Sequence, residues 1–182
     1  RIIFCWFVKE KCLPNNKPLI PHELFDVPRI KELLKDVSPD ACTYYTAILQ
    51  NLFFATLNTD MDPPDKPAIR RFVREGNPED HMVHTLWRHK KLLRDPEMLT
   101  NLFRSIPFLN GGLFECLDDR VEIEEGSNKT KEIRIDGFSV NESKQPRIPN
   151  RLFFGADQTA DLSAVTGNSS RTNVTVTPLL SI

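Results

Sequence analysis

The sequence predicts a mainly α domain with a small β-hairpin in its C-terminal third. The helical part rests on two stretches. The run ACTYYTAILQNLFFATLN, residues 41–58, is apolar at helical spacing on several sides, and the same spacing returns from Glu79 to Asn101. The hairpin rests on RVEIEEGSNKTKEIRIDGF, where Val121 and Ile123, then Ile133 and Ile135, alternate with polar residues around a Gly-Ser-Asn connector.

Residues 1–12 read as a helix whose buried face carries Ile3, Phe4, Phe7 and Val8, with Lys9, Glu10 and Lys11 exposed at its end. Pro14 to Pro21 is a loop, and Leu24 and Phe25 sit in a short turn. Pro28 opens a helix over about 28–36 that turns Ile30, Leu33 and Leu34 to one face. Ser38-Pro39-Asp40 announces the helix of 41–58, in which Tyr45, Ile48, Leu49, Leu52, Phe53 and Leu57 share a wide apolar stripe. Ala41, Ala47 and Ala55 leave room there for another backbone, as expected at the centre of a bundle.

NTDMDPPDKPAIRR is a loop. Val83, Leu86 and Trp87, then Met98, Leu99, Leu102 and Phe103, mark two helices, the later one capped by Asp95 ahead of Pro96. PNRLFFG, residues 149–155, suits a strand or a docking element. The tail from Gly167 is rich in Ser, Thr and Asn and is expected to pack poorly. These changes of character divide the chain into 1–117, 118–165 and 166–182.

With 182 residues, 40% of them apolar and 27% charged, the chain is long enough for one sizeable core. Its 24 basic and 25 acidic residues leave a net charge of −1, so no global field draws it to nucleic acid or an anionic membrane. The apolar run Ile2 to Val8 is far shorter than the roughly 20 residues that span a bilayer, and no signal-peptide cleavage pattern follows it. Cys5, Cys12, Cys42 and Cys116 show neither CxxC spacing nor neighbouring histidines and fit a reducing cytoplasm. The sequons at Asn128, Asn141, Asn168 and Asn173 read as chance in that compartment. A start in mid-helix, without methionine, predicts a fragment of a longer polypeptide.

Candidate chemistry is sparse. His81, His84 and His89 lie beside Glu79 and Asp80, but without a HExxH or a cysteine partner they read as a solvated face. DPPD at 62–65 resembles the tetrapeptide of amino-methyltransferases, yet Asp65 cannot stack on a base, and NPED at 77–80 fails likewise. Asp136, Glu142 and Lys144 have a tolerable spacing for a Mg2+-dependent nuclease, in a stretch with no apolar residues to anchor a strand. No glycine-rich nucleotide loop occurs. Residues 70–94 are locally basic, seven to three, through Arg70, Arg71, Arg74, Arg88, Lys90, Lys91 and Arg94, which makes them candidates for phosphate-backbone contact.

Four runs, RIIFCWFVKEKCLP, YYTAILQNLFFATLN, IPFLNGGLFECLD and PNRLFFG, stand in an order and at separations that are similar to another family. Residues 1–165 resemble the segment ahead of the methyltransferase core in type IIG restriction–modification enzymes and in the related phage-exclusion adenine-specific DNA methyltransferases. The resemblance implies a helical connector in a bacterial or archaeal cytoplasmic enzyme that methylates the exocyclic amine of adenine in DNA. That parent uses S-adenosylmethionine, with Mg2+ if it also cleaves, and the connector's partners are DNA and the catalytic domains of the same polypeptide. The cofactor loop and catalytic tetrapeptide are expected beyond Ile182, so no catalytic, cofactor or metal residue is assigned in this chain, which alone is expected to be inactive. The tail NSSRTNVTVTPLLSI departs from the family's pattern.

Gly111 and Gly112 are expected to make a structural turn after which Leu113, Phe114 and Leu117 re-enter the core, with Cys116 nearby. The rival reading is a stand-alone helical protein-interaction domain with apolar surface at Phe53, Phe54 and Trp87.

Overall fold

The centre of the fold is the run expected to be its strongest helix, but it is wound more widely than an α-helix. A computed structural model describes residues 1–14, 16–60, 70–109, 112–123 and 129–181. In it Tyr44–Leu49 and Asn51–Leu57 form consecutive π-helical stretches, and the Gln50 amide reaches back to the Tyr45 carbonyl. Polar side chains within the helix favour this winding. Asn51 Nδ2 donates to the Ala47 carbonyl at 2.8 Å, and Thr56 Oγ1 donates to the Asn51 carbonyl at 2.8 Å. Each occupies an acceptor that a backbone amide fills in an α-helix.

Residues 46–57 are all buried, so the sheath around them is made by the rest of the chain. Helix α1 is Ile2–Val8, α2 is Val27–Leu33, α3 is Pro96–Arg104 and α4 is Ser163–Thr166. Asp26 accepts from the Arg29 amide to cap α2, and Asp95 accepts from Glu97 and Met98 to cap α3, each cap being worth about 1 kcal/mol. Aromatic rings close the sheath: Phe114 meets Phe53, Phe138 meets Phe54, and Phe153 and Phe154 meet Tyr44. Trp87 packs on Phe103 and donates its indole N–H to Thr56 Oγ1 at 3.0 Å.

PNRLFFG proves to be a docking element. Its 3-10 turn, Asn150–Leu152, seats Asn150 at the N-terminal end of the central helix. Asn150 Oδ1 accepts from the Tyr44 amide at 3.1 Å, and Nδ2 donates to the Ser38 carbonyl at 3.0 Å. The predicted hairpin is present: β1, Asp119–Glu122, pairs antiparallel with β2, Thr130–Ile133, Asp119 opposite Ile133. A second antiparallel pair joins β3, Gln158–Ala160, to β4, Val174–Val176. The tail therefore supplies a strand, and its Leu180 is buried with its amide donating to the Phe153 carbonyl at 2.7 Å.

The expectation of a mainly α fold, a helical connector with one small hairpin, is corrected by this architecture. The chain is mixed, with 37% helix, 12% strand and, among the described residues, two small antiparallel sheets. The helix expected before Asp95 does not form, for local reasons. Met82 and His89 adopt left-handed backbone, with φ of 60° and 63°. Trp87 is drawn into a parallel bridge with Phe72, the Val73 amide donating to the Trp87 carbonyl at 2.8 Å. What remains is two 3-10 turns, Pro78–Asp80 and Lys90–Leu92. The first helix is shorter than expected and rotated: Ile3, Phe4 and Phe7 are exposed, whereas Cys5 is buried. Arg1 fixes that rotation, bonding to Asp136 at 2.6 Å and to the carbonyls of Leu113 and Glu115.

Gly112 and Leu113 lie in a turn, but the expected re-entry of Leu113 and Leu117 into the core is corrected. Gly111 lies outside the described residues, as does the DPPD tetrapeptide. A Cβ built on Gly112 meets no atom of the described residues within 4 Å, so close packing against them does not require glycine there. Beyond it, burial alternates: Phe114, Cys116 and Asp118 point inward, while Leu113 and Leu117 face out. This is the period of extended chain. No helix among the described residues is long and apolar enough to cross a membrane.

Candidate nucleic-acid interface

An open cleft of about 1050 Å³ lies between the loop of residues 73–82, the turn Lys90–Leu92 and the hairpin. Cationic side chains reach it from all three: Arg74 from the loop, Arg88, Lys90 and Lys91 at the turn, Arg120 on β1 and Arg134 just after β2.

Asp80 builds the first wall. Its carboxylate is buried and accepts from Arg71 Nη1 at 2.7 Å, Arg71 Nη2 at 2.8 Å, the Arg74 amide at 2.7 Å and Arg74 Nη2 at 3.0 Å. These two guanidinium groups hold its pKa far below the usual carboxylate range. Glu132 joins that loop to the hairpin by accepting from His81, from Lys144 Nζ at 2.7 Å and from Arg134 Nη2 at 3.1 Å. Lys144, His81 and Arg134, in that order, drive its pKa down too.

The floor is Arg88, only 3% exposed. Its guanidinium lies 3.9 Å from the centroid of the Phe138 ring, and Nη2 donates to the Val83 carbonyl at 3.1 Å. Burial lowers its pKa to about 10, so it remains a cation at neutral pH. Beside it, Arg134 Nη1 donates to Asp118 Oδ2 at 3.2 Å. Asp118 in turn accepts the amides of Ile135, Asp136, Gly137 and Phe138, which curls the chain after β2 around one carboxylate.

The seven basic candidates of residues 70–94 therefore divide. Arg74, Arg88, Lys90 and Lys91 line the cleft. Arg70 turns inward, donating to the carbonyls of Phe103 at 2.6 Å and Ile106 at 3.0 Å. Arg94 donates to the Leu34 carbonyl at 2.7 Å, and Arg71 braces Asp80. Arg120 and Arg134 escaped the charge count because the hairpin that carries them also holds acidic residues. Only the fold places them opposite Lys90 and Lys91.

The histidines do not share a face. His81 bonds to Glu132, and His89 is buried, with the Gln145 amide 3.1 Å from its Nε2. Burial lowers the His89 pKa to about 4, with Arg88 and Lys91 adding to the effect. His84, Cys116 and Asp118 lie with ligand atoms within 4.8 Å of one another. Asp118 already accepts four amides and Arg134, and burial pushes the Cys116 thiol up to about 11.

The nuclease arrangement is not assembled. Asp136 binds Arg1 and the Leu117 amide, and Lys144 bonds to Glu132 rather than facing Asp136. The rival docking surface is absent too, since Phe53, Phe54 and Trp87 are buried. No family model, curated protein or solved structure matches the chain.

Proposed function

We propose that the chain is a non-catalytic, DNA-contacting spacer of a larger cytoplasmic adenine-specific DNA methyltransferase or fused type IIG enzyme, in a bacterium or archaeon. The observation that carries the reading is the convergence of six cationic side chains from three separated segments on one cleft. Phosphate-backbone contact needs positive side chains along a groove and no base-reading element. The four runs that resemble the segment ahead of the methyltransferase core supply the enzyme class. On this reading S-adenosylmethionine, and Mg2+ where the parent cleaves, bind elsewhere in the parent polypeptide.

The test is fluorescence anisotropy of the purified chain with two duplexes of unrelated sequence, beside a methyl-transfer assay with labelled S-adenosylmethionine. The expected result is similar, weak binding to both duplexes and no methyl transfer. Methylation by the chain alone, or affinity for one duplex only, contradicts it.

A further inference from the structure

Arg88 carries a buried charge with no directly paired carboxylate among the described residues, Asp118 acting on it only from beyond ion-pair distance. Its neighbours Arg71, Arg74 and Arg134 each face a carboxylate at hydrogen-bond distance, whereas no carboxylate lies within ion-pair distance of Arg88 among the described residues. Its Nη1 is buried and has no acceptor among the described residues, and the Nε of the adjacent Arg134 is in the same condition. An uncompensated buried guanidinium is costly, and each buried donor without a partner adds to the cost. Well-packed hydrophobic side chains of similar volume often replace buried charged groups with no loss of stability. The surroundings also hold Arg88 for use rather than for packing alone. Asn51 clamps its backbone, Phe138 supports the flat face of the guanidinium, and a single hydrogen bond to the Val83 carbonyl orients it. Lys90 and Lys91 stand at the mouth of the same cleft.

We propose that Arg88, with Arg134 beside it, forms a discrete phosphate-binding site at the floor of the cleft, whose occupant is one phosphodiester of bound DNA. The inference rests on the DNA-contact reading for its occupant, but the site is defined by phosphate chemistry and is testable without DNA. The planar guanidinium matches the paired oxygens of a phosphate, as the ammonium groups of Lys90 and Lys91 do not. The lysines draw the strand in, and Arg88 fixes one phosphate in register.

The experiment compares the wild-type chain with R88M and R88K, using thermal unfolding and calorimetric titration with inorganic phosphate at constant ionic strength, chloride serving as the control. A second titration uses duplex DNA without terminal phosphates. The account expects phosphate, and not chloride, to raise the wild-type melting temperature. It expects R88M to melt at or above the wild-type temperature while its phosphate affinity falls by about tenfold or more. R88K, which keeps the charge but not the fork, is expected to fall between the two.

Absence of phosphate binding by the wild-type chain, or equal binding by R88M, overturns the site. So does a marked loss of stability in R88M with unchanged phosphate binding by R88K, because a structural arginine behaves that way. DNA binding without phosphate binding removes this inference and leaves the DNA-contact reading standing. Phosphate binding without DNA binding removes that reading and leaves the site, its occupant then being free phosphate.

Discussion

The side chain of Asn51 closes two hydrogen bonds on the backbone of Arg88: Nδ2 donates to its carbonyl at 2.8 Å, and Oδ1 accepts from its amide at 2.7 Å. One buried amide on the central helix therefore fixes both the π winding, through Ala47, and the position of the cleft floor. Asn51→Leu keeps the volume but leaves the Arg88 amide and carbonyl without partners. We expect a loss of about 2–4 kcal/mol in urea unfolding, with a parallel loss of DNA affinity. Unchanged stability would show that Arg88 is held by other contacts.

Asp118 organises the hairpin's return to the core. Asp118→Ala strips partners from four backbone amides and from Arg134 at once. The expected cost is roughly 3–5 kcal/mol, read from thermal or denaturant unfolding. A shift comparable to that of an exposed carboxylate such as Glu97→Ala would refute its organising role.

Acid is expected to unfold the chain in two stages. His89 has a folded pKa of about 4 against 6.5 unfolded, so between these values the unfolded chain binds more protons. Its contribution is complete above pH 6.5 and is lost as the pH falls to about 4, a change on the order of 3 kcal/mol. Asp80 and Glu132 are held ionised far below the ordinary carboxylate range, so their contribution persists at neutral pH and disappears at still lower pH. His89→Asn, which tolerates the left-handed backbone at this position, should flatten the first stage in a pH series of unfolding midpoints.

Much of the core was legible in the sequence, and the reasons for the misses are physical. Long-run apolarity located the central helix, Asp95 and Pro96 marked α3, and alternation around a polar connector marked the hairpin. Periodicity could not reveal that Asn51 and Thr56 would take helix carbonyls and widen the winding, because those bonds depend on side-chain conformation. It also misread residues 79–95, where apolar spacing suits a helix but the Asp80 cluster and the Phe72–Trp87 bridge prevail. At the site, charge counting found Lys90 and Lys91 but could not separate Arg88, which faces the cleft, from Arg70 and Arg94, which bond to backbone carbonyls. Arg120 and Arg134 join the cleft only through tertiary folding of the hairpin.

The central claim, that the cleft holds a DNA backbone by charge, is tested most directly by the salt dependence of duplex binding in the wild-type chain and in K90Q/K91Q. The account predicts that log K falls linearly with log salt between about 50 and about 200 mM, and that the double variant's slope is shallower by about 2. Wild-type binding that is indifferent to salt, or a double variant with the wild-type slope, would contradict it.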